Sequence, residues 1–151
     1  MILFLDFDGV LHPVGSTLSQ CFSCLPLLEE FLRTEAPSWQ VVISSSWREH
    51  YSRQQILEIF SPDLRDRIIG STSAEGDRSL HATWAGQARL YPREIQIRHY
   101  LARSGLNSED WVSLDDTSWW FRNAEANDHL VLCKPDTGLV ESDLAQLRIR
   151  L

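Results

Sequence analysis

The 151-residue sequence predicts one α/β domain built on a mostly parallel sheet. Two observations lead to that class. Apolar strand-like runs alternate with helix-patterned segments along the whole chain, and the first of these runs, residues 2–7, is apolar except for one acid, the pattern of a central strand covered on both faces. A third observation says where to look for chemistry. Acids or serines stand at the ends of several runs, and open parallel sheets bind ligands outside the carboxyl ends of their strands.

Each element has its own warrant. Residues 2–7 form the first strand, and residues 12–20 a loop. A helix over residues 23–33 places Leu25, Leu28, Phe31 and Leu32 at helical spacing before Pro37 breaks it. The second strand spans residues 40–44, a short helix opens over residues 47–51, and a further helix carries Ile56, Leu57 and Phe60. Residues 67–71 form the third strand. Residues 72–90 are polar, aperiodic and contain glycine, so they read as a loop. Pro92 suits the first turn of a helix that runs to Ser104 and ends at Gly105, with Ile97, Tyr100, Leu101 and Ser104 on one stripe. Residues 111–114 and 129–133 are the fourth and fifth strands, and residues 142–149 a closing helix.

Composition narrows the function classes. The length suits one core rather than two. A formal charge of -7 disfavours non-specific wrapping of nucleic acid or an anionic membrane. Of the basic residues only Lys134 is lysine, so phosphate recognition must rest on arginine, whose planar fork matches phosphate oxygens in pairs. There is no signal-peptide pattern at the start and no apolar stretch of bilayer-spanning length, and the three cysteines build no disulfide framework. The expected location is therefore cytoplasmic.

The chemistry concentrates at strand ends. Asp6 and Asp8 lie two apart, so both carboxylates are expected to start on the same side, with Gly9 freeing the backbone to turn over them. A carboxylate held beside a divalent cation can attack phosphorus and form an acyl phosphate, which makes Asp6 the candidate nucleophile. Asp8 is placed to protonate the leaving oxygen and then to take a proton from water. Acids and a phosphate need a hard cation between them, and Mg²⁺ with oxygen ligands is the usual one. Asp115 and Asp116 offer further ligands from the fourth strand. Ser45 is the candidate phosphate-binding hydroxyl, with Ser44 and Ser46 as rivals. Ser46 and Arg48 of the same SSSWR run are candidates for substrate contact.

DFDGV at residues 6–10, an apolar strand ending at Ser45, and SLDD at residues 113–116 resemble motifs one, two and four of the haloacid dehalogenase (HAD) superfamily, in the correct order. The resemblance implies a three-layer Rossmann-like fold with strand order 5-4-1-2-3, bringing Asp6, Ser45 and Asp115 together. It also implies Mg²⁺ held by the Asp6 carboxylate, the Asp8 main-chain carbonyl and an acid of the fourth motif, Asp115 or Asp116. Motif three departs from the family pattern. No lysine stands before strand four, and Arg93 is the best substitute, with Arg89 and Arg98 as rivals. The intervals 12–22 and 72–90 are too short for a cap domain. The combination of DFDGVLHP, SSSWR and LDD is similar to stand-alone HAD proteins and to HAD domains associated with RNA-repair enzymes.

Plainer readings exist for several of these residues. Ser45 could serve only as a helix cap, and Asp116 only as a surface acid. Cys21 and Cys24 have zinc-pair spacing without a second pair, so packing is expected. Trp47, Trp84, Trp111, Trp119 and Trp120 could stack on bases, but Trp111 begins a buried strand and packing is expected there. Only His12 among the histidines lies near the site in sequence. The expected activity is Mg²⁺-dependent hydrolysis or transfer of a phosphomonoester, on a small molecule, a nucleotide or a nucleic-acid end. The alternative is a phosphate-binding or regulatory module on the same fold that has lost turnover.

Overall fold

The computed structural model describes residues 1–73, 91–107 and 109–151. Strands β1 (Ile2–Leu5), β2 (Gln40–Ile43), β3 (Ile68–Ser71), β4 (Trp111–Asp115) and β5 (Leu130–Leu132) form one sheet in the order β3-β2-β1-β4-β5. Every neighbouring pair is parallel. This is the 5-4-1-2-3 order read from the opposite edge, with the first strand at its centre.

Helices α1 (Leu25–Thr34), α2 (Arg53–Ile59), α3 (Pro92–Ser104) and α4 (Glu141–Arg148) make the outer layers. Strand residues alternate between faces. Leu3, Leu5, Val41, Ile43, Val112 and Leu114 share a core with residues of α1, α2 and α4, including Leu28, Ile56 and Leu144. Ile2, Phe4, Val42 and Trp111 point the other way and share a second core with Ile97 and Leu101 of α3. All four β1 residues are buried, which is why its sequence shows no polar alternation.

The helix boundaries shift for local reasons. α1 begins at Leu25, with Pro26 in its first turn, where a missing N–H costs nothing. The short helix expected over residues 47–51 is a 3-10 turn, Ser46–Glu49, because Ser52 caps a new helix reciprocally with Gln55. In α3 the buried face includes Arg93, Glu94 and Ile95 ahead of Ile97 and Leu101, whereas Ser104 is exposed. Pattern reading discounts charged residues, so it set that stripe a turn too late. Gly105 ends α3 at a φ of 63°, which favours glycine.

The expected loop over residues 72–90 is described only to Ser73, so Arg78, His81, Trp84 and Arg89 lie outside the described residues. The interval 12–22 holds turns and the 3-10 segment Leu18–Gln20, with no inserted domain. Among the described residues no helix is long and apolar enough to cross a membrane.

Candidate active site

Strand register levels the key residues. Leu5 of β1 pairs with Ile43 of β2 on one side and Leu114 of β4 on the other, so the following residues Asp6, Ser44 and Asp115 stand side by side at the carboxyl edge. The backbone continues the pairing, since Asp6 N donates to Leu114 O at 3.1 Å and Ser44 N to Leu5 O at 2.8 Å.

Carboxylate oxygens of Asp6, Asp115 and Asp116 lie within 4.8 Å of one another. Asp6 is 5% exposed and Asp115 fully buried. Gly9 makes the approach of Asp116 possible: its φ is 70°, and a Cβ there would fall 2.2 Å from Asp116 Oδ2. Phe7 N donates to Asp6 Oδ1 at 2.8 Å. Thr117 secures both remaining acids, its N–H donating to Asp115 Oδ1 and its hydroxyl to Asp116 Oδ1, each at 2.9 Å.

Arg93 reaches this cluster from the first turn of α3. It is 6% exposed, with Nη2 3.2 Å from Asp6 Oδ2 and Nε 3.3 Å from Asp115 Oδ2. Nη1 donates to Ser44 Oγ at 3.5 Å, and the guanidinium lies 4.9 Å from the centre of the Trp120 ring. One arginine thus spans both acidic strand ends. Arg98, the described rival, is turned away and pairs with Glu94 at 2.9 Å.

The charge balance is nevertheless acidic. Burial raises the Asp6 carboxyl above its ordinary range despite Arg93, the Phe7 amide and the Ser45 hydroxyl. Burial likewise pushes Asp115 up to about 8, with Arg93 opposing and Asp6 and Asp116 adding to the rise. No hydrogen bond reaches Asp115 Oδ2, even though Arg93 stands in ion-pair range. Three oxygen-donor acids, one with a buried orphan oxygen, suit a hard divalent cation.

The Asp8 side chain is 52% exposed and is not among the three acids grouped within 4.8 Å, since the chain leaves strand geometry after Leu5 and turns at Gly9. Its oxygens accept from His12 Nε2 and Trp47 Nε1, both at 3.0 Å.

The serine run divides its roles. Ser44 and Ser45 are fully buried and Ser46 is exposed. Ser45 Oγ accepts from Trp47 N at 3.4 Å, so capping and an interaction with Asp6 coexist. Arg48 donates Nη1 to Ser45 O and Nη2 to Gln96 Oε1, the latter at 3.1 Å. Burial and the neighbouring Arg93 lower its pKa. Ser46, Arg48, Arg93, Gln96 and Trp120 line a concavity of about 140 Å³ beside the acids.

Sequence reading did not single out Thr117, Glu94 or a bond between Ser44 and Arg93. Thr117 follows the SLDD run directly, which is the signal that could have found it. Glu94 accepts from Arg122 N at 2.7 Å and Arg98 Nε at 2.9 Å, a buried tie with no motif to announce it. Cys21, Cys24 and Cys133 are free thiols, and Trp111 packs in the core, whereas Trp119 is exposed.

A parallel sheet in the order β3-β2-β1-β4-β5, with acids from two strand ends and a buried arginine at its carboxyl edge, has the layout of a HAD-type domain. The model of the HAD domain in Swiss Army Knife RNA repair proteins matches residues 2–144, and the chain belongs to that family. Membership supports a phosphohydrolase or phosphotransferase of HAD type in general. No curated protein and no solved structure gives a significant match.

Proposed function

We propose that the chain is a Mg²⁺-dependent phosphomonoester hydrolase or phosphotransferase that works through an Asp6 phosphoenzyme. The observation that carries this reading is the bridge of Arg93 between Asp6 and Asp115. It fixes the attacking carboxylate and supplies positive charge where a phosphoryl group must sit. The same bridge supports Arg93 as the cation of motif three in place of a lysine, and so weighs against a module without turnover.

Asp6, Asp115 and Asp116, with the Asp8 main-chain carbonyl, would hold the cation. When bound it neutralises the acids and the phosphate so that they can approach each other. Asp6 attacks phosphorus as the bond to the leaving oxygen breaks, and that oxygen takes its electron pair and a proton from Asp8. Water then attacks phosphorus, gives its proton to Asp8, and releases phosphate with the Asp6 carboxylate restored. In transfer, an acceptor hydroxyl replaces the water. Ser45 and Arg93 hold phosphoryl oxygens, and Ser46 and Arg48 border the substrate.

The family's association with RNA repair supports nucleotide or nucleic-acid-end phosphates as the substrate class. The protein is read as one domain over residues 1–151, located in the cytoplasm. The test is Mg²⁺-dependent phosphate release from small phosphomonoesters, mononucleotides and phosphorylated oligonucleotides. Asp6→Asn is expected to abolish turnover of all of them; full activity in that variant removes the nucleophile from this account.

A further inference from the structure

Asp8 poses a physical problem for the role just assigned to it. A carboxylate more than half exposed samples several rotamers in water, and fixing one costs conformational entropy. Proton transfer needs a fixed donor within hydrogen-bond reach of the leaving oxygen. Something must hold it.

Two donors do. His12 Nε2 stands 3.0 Å from Asp8 Oδ1, and Trp47 Nε1 donates to Oδ2 at 3.0 Å. His12 is 3% exposed, and its Nδ1 accepts from Phe22 N at 3.3 Å. That bond requires an unprotonated Nδ1, so the ring proton sits on Nε2 and points at Asp8. Phe22 offers its N–H from a φ of 63°, a conformation a bulky residue rarely adopts. Its ring meets His12 edge-on, with centroids 5.3 Å apart.

Trp47 is fixed as firmly. Its ring stacks on Tyr51 at 4.9 Å and meets Phe22 and Phe7 edgewise at 5.1 and 5.8 Å. It belongs to the turn that Ser45 caps, so the phosphate-binding turn and the Asp8 clamp are one rigid piece. A carboxylate oxygen has two lone pairs. The clamp occupies one on each oxygen and leaves the other for a proton.

We propose that His12 and Trp47 are positioning residues that hold the Asp8 carboxylate at the mouth of the site for proton transfer to and from the reacting oxygens. This rests on Asp8 serving as the acid–base group of the proposed function. A clamp of this kind matters most when the leaving oxygen is basic and departs only with a proton. It matters little for a nitrophenolate, which leaves unaided.

The experiment compares kcat and KM of the native protein, His12→Phe, His12→Gln, Trp47→Phe and Asp6→Asn on p-nitrophenyl phosphate and glycerol phosphate with Mg²⁺. Attack of water on the phosphoenzyme is common to both esters and enters kcat, whereas kcat/KM ends at phosphoenzyme formation. A general acid contributes about 10²–10⁴-fold, so His12→Phe and Trp47→Phe are expected to lose about ten-fold or more in kcat/KM on glycerol phosphate and less than about three-fold on the nitrophenyl ester. His12→Gln, which can donate to Asp8 and accept from Phe22, recovers part of the loss. Equal losses in kcat/KM on both esters, with Asp6→Asn inactive, overturn the clamp and leave the phosphoenzyme standing. Full activity in Asp6→Asn overturns the underlying reading instead. A second readout does not depend on turnover or on the fold of the His12 variants. In Asp8→Ala the Trp47 indole N–H resonance should shift and exchange faster with solvent, and an unmoved signal shows that the clamp does not form.

Discussion

At the scale of single residues, Arg93 decides how the site holds together. It faces two buried acids, and removing one partner of such a set leaves charge without compensation. Arg93→Ala is expected to cost about 3–5 kcal/mol above about pH 8, where both acids are ionised, by chemical denaturation, and less at lower pH, where the carboxyls take up protons. The carboxyl of Asp115, pushed up to about 8, carries a second consequence. The folded state binds that proton more tightly than the unfolded chain, so the contribution to stability is complete below the ordinary carboxylate range. It is lost as pH climbs towards 8 in metal-free protein. A bound cation requires the deprotonated acid, so Mg²⁺ affinity should rise with pH up to about 8 and level off above it, with protons released on binding. Calorimetry in buffers of different ionisation heat checks this, and an affinity that does not change over that range contradicts it. Asp6 and the SLDD acids were legible in the sequence because they end apolar runs. The exposure of Asp8 and its bonds to His12 and Trp47 were not, because they depend on the backbone leaving strand geometry after Leu5. Arg93 was legible only through the family resemblance, since charge at the start of a helix is ordinarily a solvated face.

At the scale of elements, β1 and α1 show how packing supports the chemistry. β1 is buried from end to end, and its last residue delivers Asp6 to the carboxyl edge. α1 covers one face of the sheet with Leu28 fully buried against it. Leu28→Ala is expected to destabilise the fold by about 2–5 kcal/mol, read by thermal or denaturant unfolding, and to leave KM unchanged in the surviving folded fraction. The strands were legible to within two residues, most plainly β1 and β4, whose burial on both faces makes their apolar runs continuous. Helix detail was less so. The 3-10 turn at Ser46–Glu49 follows from two competing serine caps, and the buried start of α3 follows from charges satisfied by partners distant in sequence.

At the scale of the whole molecule, strand order does what no single motif can. Because β1 lies between β2 and β4, three short sequence signals far apart in the chain meet at one edge. Arg93 and Arg48 border the acids at that edge in a chain whose formal charge is -7. The central claim is that phosphoryl transfer passes through Asp6. Borohydride trapping during Mg²⁺-dependent turnover, followed by peptide mass spectrometry, tests it directly, because an aspartyl phosphate is reduced to homoserine. Homoserine at position 6 in the native protein, and none in Asp6→Asn, is the predicted result; active enzyme that yields homoserine at another position, or none, contradicts it.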